Sequence, residues 1–249
     1  MKVIILAAGY ATRLYPLTEN FPKPLLPVGG QAIIDRLLFD LEKAPEVTEY
    51  VVISNHKFMH CFEEWKESPA IRGLKKPLTI LDDGSTDNEH RLGAAKDILF
   101  AAEKMDFLKG GEEIFVAAGD NVLDFSLHGF LEFARSRGTS CVMCHEENEL
   151  KKLQKTAVIT FGKDMRITSY EEKPEIPKGN HAVPPFYIYR PEDLSRIPEA
   201  LAEGCSADAP GSFAAWLSGK VPMYAFPMDG KRYDIGDLKS YEEAQRIFT

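Results

Sequence analysis

Two cations on a proline-pinned segment are the first residues in this chain whose types and spacing could do chemistry. Residues 3–6, Val-Ile-Ile-Leu, form an unbroken apolar run and predict a strand buried on both faces. Ala7, Ala8 and Gly9 follow at once. Side chains this small let a ligand lie against the backbone, and Gly9 is free to take a positive φ. Successive N–H groups in such a turn make an anion-binding nest. Arg13 comes next, then Lys23 between Pro22 and Pro24. The prolines stiffen the backbone and aim the ammonium. A strand, a small-residue turn, an Arg and a rigidly held Lys suit a polyphosphate. The second chemical residue is Asp120, in Gly119-Asp120-Asn121 after the predicted strand 113–118. A carboxylate at the end of a buried strand suits Mg²⁺, which takes one or two carboxylates plus substrate phosphates. The alternative, a helix cap, is weak because the next helix begins only near Ser126.

Alternating strands and helices must position these groups. Helices are expected over 31–44, 58–66, 96–105, 192–202, 211–217 and 238–248, and strands over 50–53, 78–81 and 113–118. Strands then crowd together at 140–143, 157–161, 166–170 and 186–189, with another at 222–227. The acidic stretch 82–89 lacks the Gly and distal Glu spacing of a calcium loop. It follows a strand end, where open α/β sheets bind ligands. With no repeat, low-complexity segment or linker, residues 1–249 read as one domain.

Composition narrows the classes. Hydrophobic residues at 44% and charged residues at 27% are ordinary for a globular chain. A net charge of −8 argues against nucleic acid as partner. No apolar run approaches the ~20 residues of a membrane helix, and the opening run is too short for a signal peptide, so a cytoplasmic location is expected. Cys141-Val-Met-Cys144-His145 has the spacing of a haem attachment, but it lies in a predicted strand. There the two cysteines face opposite sides, and both read as buried and reduced.

The opening stretch resembles the signature of the sugar-1-phosphate nucleotidyltransferases, L-A-x-G-x-G-T-R-L-x-P-L-T followed by P-K-P and L-x-P-V. The matches are Leu6, Ala7, Gly9, Thr12, Arg13, Leu14, Pro16, Leu17, Thr18, Pro22, Lys23, Pro24, Pro27 and Val28. Ala11 departs, standing where the family has its second Gly. Gly119-Asp120-Asn121 resembles the family's metal motif, Glu172-Lys173-Pro174 its E-K-P motif, and Asp234-Ile235-Gly236 part of its W-x-D-x-G-T motif. Two further departures line the family's sugar pocket: Lys155-Thr156-Ala157 where many relatives have Tyr-Gly-Val, and Pro184-Pro185 where they often have Thr-Gly.

The resemblance covers nearly the whole chain in the same motif order. It implies a three-layer α/β/α sandwich around a mixed, mainly parallel, Rossmann-like sheet of the nucleotide-diphospho-sugar transferase type. The N-terminal half would bind nucleotide and the C-terminal half sugar phosphate. It implies a nucleoside triphosphate and a sugar-1-phosphate as substrates and Mg²⁺ as cofactor; a homo-oligomer is compatible with it. Residue by residue, Arg13, Lys23 and Asp120 would be catalytic. Leu6, Ala8, Gly9, Tyr10, Ala11, Thr12, Asn88 and Gly93 would contact the nucleotide. Thr156, Glu172, Lys173 and Tyr187 would contact the sugar phosphate, and Asp120 with Asp234 would hold the metal. Asn88 stands where a Gln often reads a pyrimidine edge, so dTTP or UTP is the expected triphosphate. Rival readings are a nucleotide-sugar glycosyltransferase, a phosphocholine cytidylyltransferase and a non-catalytic nucleotide-sugar sensor. The first should carry an Asp-x-Asp motif, the second should lack Glu172-Lys173, and the third should have lost a catalytic cation or metal ligand.

Overall fold

The computed structural model describes residues 1–248, and its contacts divide the chain into two compact units. Unit 1 comprises residues 1–92, 118–127 and 230–249; unit 2 comprises 93–117 and 128–229. The chain thus leaves unit 1, returns for ten residues around Asp120 and returns again at its C-terminus. The division does not follow the N- and C-terminal halves of the sequence.

Unit 1 is built on three parallel strands, β1 (Lys2–Leu6), β4 (Glu49–Ser54) and β5 (Leu78–Asp82), in the order β1-β4-β5. Val3, Ile4, Ile5 and the whole of Tyr50–Ile53 are fully buried, as expected of apolar strands covered on both faces. Between β1 and β4 lie a hairpin, β2 (Pro27–Val28) with β3 (Gln31–Ala32), and helix α1 (Ile33–Leu41). The sequence reading extended this helix from 31 to 44. Gly29 and Gly30 instead take φ of 58° and 77°, a two-residue hairpin turn that draws Gln31 and Ala32 into β3. Helices α2 (Met59–Lys66) and α3 (Pro69–Arg72) separate β4 from β5.

Two later pieces complete unit 1. The strand β7 (Asn121–Leu123) pairs antiparallel with β14 (Arg232–Asp234), placing Asp234 opposite Asn121. Helix α10 (Leu238–Ile247) follows, its N-terminus closed by a capping box between Asp237 and Ser240. Neither short strand was expected from sequence. Three residues show no readable alternation, and such strands persist only through pairing and packing. The packing is a cluster of Leu14, Leu26, Val28, Ile33, Val122, Ile235 and Ala244, flanked by Ala11, Tyr233, Tyr241 and Phe248. Tyr241 and Gln245 also donate hydrogen bonds to the Pro27 carbonyl at 2.8 and 2.6 Å, tying α10 to the proline-pinned segment.

Unit 2 carries β6 (Ile114–Ala118), β8 (Cys141–Glu146), β9 (Ala157–Phe161), β10 (Ile167–Glu172), β11 (His181–Val183), β12 (Phe186–Tyr189) and β13 (Tyr224–Pro227). Their order is β10-β9-β11-β8-β12-β6 with β13 on β8; the β8–β13 pair is parallel and the others are antiparallel. The helices are α4 (Ala94–Lys104), α5 (His128–Arg137), α6 (Leu150–Leu153), α7 (Pro191–Leu194), α8 (Ile197–Ala202) and α9 (Pro210–Ser218). The single helix expected over 192–202 is two short ones, because Pro198 sits in the first turn of α8 and cannot continue a helix from α7.

Strand pairing in the chain is therefore mixed, with helices alongside, as the sequence implied. Cys141 and Cys144 are free and fully buried in β8, and burial pushes both thiols up to about 12. Among the described residues no helix is long and apolar enough to cross a membrane.

Candidate active site

The chemistry-bearing residues of unit 1 meet where three segments converge. Lys23 sits in a single 3₁₀ turn, Lys23–Leu25, entered through Pro22; its side chain is 8% exposed. Its ammonium is 2.7 Å from Asp120 Oδ2 and 3.9 Å from Asp234 Oδ1. Gly119 sets the position of Asp120: its N–H donates to the Leu6 carbonyl at 2.9 Å. A Cβ on Gly119 would come within 2.9 Å of Ile5 Cγ2, so only glycine lets this turn lie against β1. Asp234 arrives through the β7–β14 register. The three residues assigned from sequence to the α-phosphate and the metal thus form one cluster.

Two residues that sequence reasoning gave no role belong to the same cluster. Asn121 donates from Nδ2 to Asp120 Oδ1 at 2.8 Å, and Arg232 donates from NH1 to Asn121 Oδ1 at 2.6 Å. The same guanidinium nitrogen is 3.5 Å from Asp234 Oδ2. Two carboxylates therefore share two cations. The sequence carries only part of the signal: Arg232 and Asp234 are two apart and share a face if residues 232–234 form a strand, which three residues do not reveal.

The opening loop departs from expectation at one point. Gly9 does not supply the left-handed residue; Ala11 does, with φ 46° and ψ 42°. The conformation is held by Thr18 Oγ1 and the Leu14 N–H, both donating to the Ala11 carbonyl at 2.8 and 2.9 Å. A left-handed Ala costs roughly 1–2 kcal/mol, so its neighbours impose it. Gly9 is exposed, and a Cβ there would meet nothing within 4 Å; its smallness leaves open space beside the backbone. Asn55 Nδ2 donates to the Ala8 carbonyl at 2.9 Å, and the buried Tyr10 donates to the Ser85 carbonyl at 3.0 Å. Thr12 and Arg13 are exposed on the next turn. A Cβ on Gly236 would lie 4.0 Å from the Arg13 guanidinium. The Asp237 carboxyl is held below its ordinary value by the Ser240 N–H and hydroxyl, with Arg13 adding to the effect.

The residues expected to read the base are divided between the units. Asn88, in unit 1, is exposed, and its Oδ1 accepts from Arg91 NH1 at 3.1 Å. Gly93, in unit 2, has φ 90°, and a Cβ there would press to 2.7 Å on the Ala207 carbonyl oxygen. Backbone geometry within unit 2 is thus reason enough for this glycine.

The sugar-phosphate candidates lie in unit 2. Glu172 ends β10 and pairs with Ala157; Lys173 follows with φ 48°, its N–H donating to the Thr156 carbonyl at 3.1 Å. One oxygen of Glu172, Oε2, is buried without a donor among the described residues, and its other oxygen is 4.0 Å from Lys173 Nζ. Burial raises the Glu172 pKa, with Lys173 opposing. A Cβ on Gly211 would sit 2.4 Å from Glu172 Oε2, so a side chain there would displace the Glu172 carboxylate. The Lys173 side chain is 57% exposed. Thr156 Oγ1 already donates to the Val183 carbonyl at 3.3 Å, and Tyr187 is buried in β12, stacked on Tyr189 with ring centroids 5.7 Å apart.

A divalent cation fits the unit 1 cluster. Asp120 Oδ2 and Asp234 Oδ1 already face one cation, the Lys23 ammonium, and both are the hard oxygen donors that Mg²⁺ takes. No group of three or more His, Cys, Asp or Glu side chains suited to a metal occurs among the described residues. The pair thus suits an ion whose other ligands come from phosphate and water.

Known proteins resemble this chain along its whole length. The chain is 29% identical over 250 residues to mannose-1-phosphate guanylyltransferase 1 of Arabidopsis thaliana, covering 100% of this chain and 64% of that protein. It is 25% identical over 255 residues to glucose-1-phosphate adenylyltransferase of Thermotoga neapolitana, covering 97% and 59%. A crystal structure from Bacillus anthracis, assigned as a glucose-1-phosphate thymidylyltransferase and solved with sucrose, superposes with a TM-score of 0.83 at 25% identity, covering 100% of this chain and 95% of that one. The chain spans 38–64% of the length of the curated relatives it matches. Residues 2–249 match the family described as Nucleotidyl transferase, and the chain belongs to that family.

Proposed function

We propose that this chain joins a nucleoside triphosphate to a sugar-1-phosphate, giving a nucleotide sugar and pyrophosphate. The convergence of Lys23, Asp120 and Asp234 carries the reading. A sugar-phosphate oxygen attacks the α-phosphorus, and the bond to the departing pyrophosphate breaks. Both reactants are anions, so the protein has to neutralise and align them rather than exchange protons. In this reading Arg13 takes the β- and γ-phosphates and Lys23 the α-phosphate. Asp120 and Asp234 hold Mg²⁺, which when bound would neutralise charge on the triphosphate. Glu172 Oε2, buried and lacking a donor, suits sugar hydroxyls, and the exposed Lys173 ammonium suits the sugar phosphate. The four free cysteines fit a reducing, cytoplasmic compartment.

For the base, the Asn88 amide matches the acceptor-donor edge of thymine or uracil, and dTTP or UTP is the reading we favour. A purine reading has its own support in the relatives named for guanylyl and adenylyl transfer. Pyrophosphate release should be assayed over dTTP, UTP, CTP, GTP and ATP, each with a panel of sugar-1-phosphates. Release that needs both substrates, fastest with dTTP or UTP, is expected. A preference for GTP or ATP overturns the base assignment, and no release with any pair overturns the activity.

A further inference from the structure

We propose that Arg232 is a positioning residue for the carboxylate pair: directly and through Asn121, it sets which oxygens of Asp120 and Asp234 face the cation. The proposal rests on the reading that these two carboxylates hold a divalent ion.

The argument is one of hydrogen-bond polarity. A guanidinium can only donate and a carboxylate can only accept, whereas a primary amide does one at each end. Arg232 NH1 donates to Asn121 Oδ1 at 2.6 Å, which leaves Asn121 Nδ2 to donate to Asp120 Oδ1 at 2.8 Å. The amide therefore has one orientation, and Asp120 Oδ1 is engaged. Oδ2 is the oxygen turned to Lys23, at 2.7 Å. On the other side Arg232 NH1 is 3.5 Å from Asp234 Oδ2, while Asp234 Oδ1 faces Lys23 at 3.9 Å. One guanidinium thus engages the far oxygen of one carboxylate directly and that of the other through a single amide.

The scaffold supports this role. Arg232 and Asp234 share a face of β14, and Tyr233 between them turns into the apolar cluster. Asn121 is 5% exposed and lies opposite Asp234 in the β7–β14 register. The Arg232 side chain is 18% exposed. Partners that orient metal-binding carboxylates commonly change metal affinity about 10–100-fold when removed.

Charge alone predicts the opposite sign. Removing a cation from beside two carboxylates lowers repulsion toward a divalent ion and should tighten its binding. Positioning predicts weaker binding. Mn²⁺ affinity, read from the free-ion EPR signal of the full chain, separates the two. Arg232→Met and Asn121→Ala should each weaken Mn²⁺ binding by roughly tenfold or more. The double variant should be little weaker than Arg232→Met, because that change already removes the link through Asn121. If Arg232→Met does not fold, Asn121→Ala tests the link alone. Unchanged or tighter binding in the folded variants overturns the proposal. Asp120→Asn is the reference: if it binds Mn²⁺ as the unmodified chain does, the carboxylate-pair reading falls. If it loses Mn²⁺ while Arg232→Met and Asn121→Ala do not, the positioning role alone falls.

Discussion

In unit 1, Lys23 lies between Asp120 and Asp234, Arg232 is set against Asp234, and Asn121 links Arg232 to Asp120. In unit 2, a Glu172 oxygen is buried with no donor among the described residues, and Lys173 points its charge to solvent. The first site is electrostatically satisfied by its own residues; the second has an unmet demand. A phosphate entering the first must compete with carboxylates for Lys23. A hydroxyl donor reaching Glu172 relieves a desolvated acceptor, a group whose isolation costs about 1–3 kcal/mol. Under the proposed function, two catalytic tasks would explain the difference. Polyphosphate binding needs cations held in readiness without unfolding the protein through bare charge. Sugar recognition gains selectivity from an acceptor that only the correct ligand satisfies.

The comparison breaks most severely at Asp120. Asp120→Asn should lower turnover by ~10²-fold or more, the usual scale for losing charge stabilisation at a transferring group, with the fold retained. Asp234→Asn should also impair turnover, and the double variant should be far from additive if the pair serves one ion. Steady-state kinetics at saturating Mg²⁺ with circular dichroism reads both, and near-normal turnover excludes the role.

The two lysines should fail differently. Lys23→Ala should lower turnover with both substrates saturating. Lys173→Ala should chiefly raise the apparent KM for sugar phosphate, by about 10–100-fold for a lost hydrogen bond to a charged group. A change confined to the triphosphate would move Lys173 out of the sugar-phosphate role.

Glu172→Gln should trade activity for stability. The folded Glu172 carboxyl titrates above its ordinary 4.5, because burial disfavours its charge. The folded protein then holds this proton to higher pH than the unfolded chain. Stability falls as pH rises from the ordinary value through the raised one, and the penalty is fully present only above the raised value. Glu172→Gln should therefore melt higher at pH 7–8, by about 2–4 °C per kcal/mol relieved. The difference should shrink as pH falls to 4.5 and below, while use of sugar phosphate is impaired. Thermal melts across that range test the sign; a lower melting temperature at neutral pH refutes it.

The smallest effect belongs to Ala11. A left-handed Ala costs roughly 1–2 kcal/mol, and Gly adds about 0.5–1 kcal/mol of unfolded-state entropy. Ala11→Gly should stabilise by ~0.5–1 kcal/mol, seen as a small rise in melting temperature. A fall would mean that the Ala11 methyl contributes more to its apolar cluster than its backbone strain takes away.

What was legible in the sequence follows the range of the interactions. Lys23 between two prolines, and Asp120 after an apolar strand, are local patterns, and the structure has the strand and the stiff turn where they were expected. The β7–β14 pair was not legible, because its two three-residue strands have no period and are joined only by tertiary packing. Arg232 went unseen for that reason, and Asn121 was read only as part of Gly119-Asp120-Asn121, with no role of its own: the contacts of both depend on register. Gly9 and Ala11 exchanged the expected roles because Thr18 and Leu14, later in the same motif, hold the Ala11 carbonyl in the left-handed turn, a contact that residue types alone do not show. Gly93 resembled a base contact, yet its φ of 90° and the close Ala207 carbonyl account for it within unit 2.

The most direct test of the account follows the α-phosphorus. The chain should be incubated with Mg²⁺, a sugar-1-phosphate and a triphosphate labelled at the α-phosphate, and the products separated. The account predicts that the label enters a nucleotide sugar, that unlabelled pyrophosphate forms in equal amount, and that neither appears without sugar phosphate. Label released as nucleoside monophosphate whether or not sugar phosphate is present, or label left in the triphosphate with every pair tried, would contradict it.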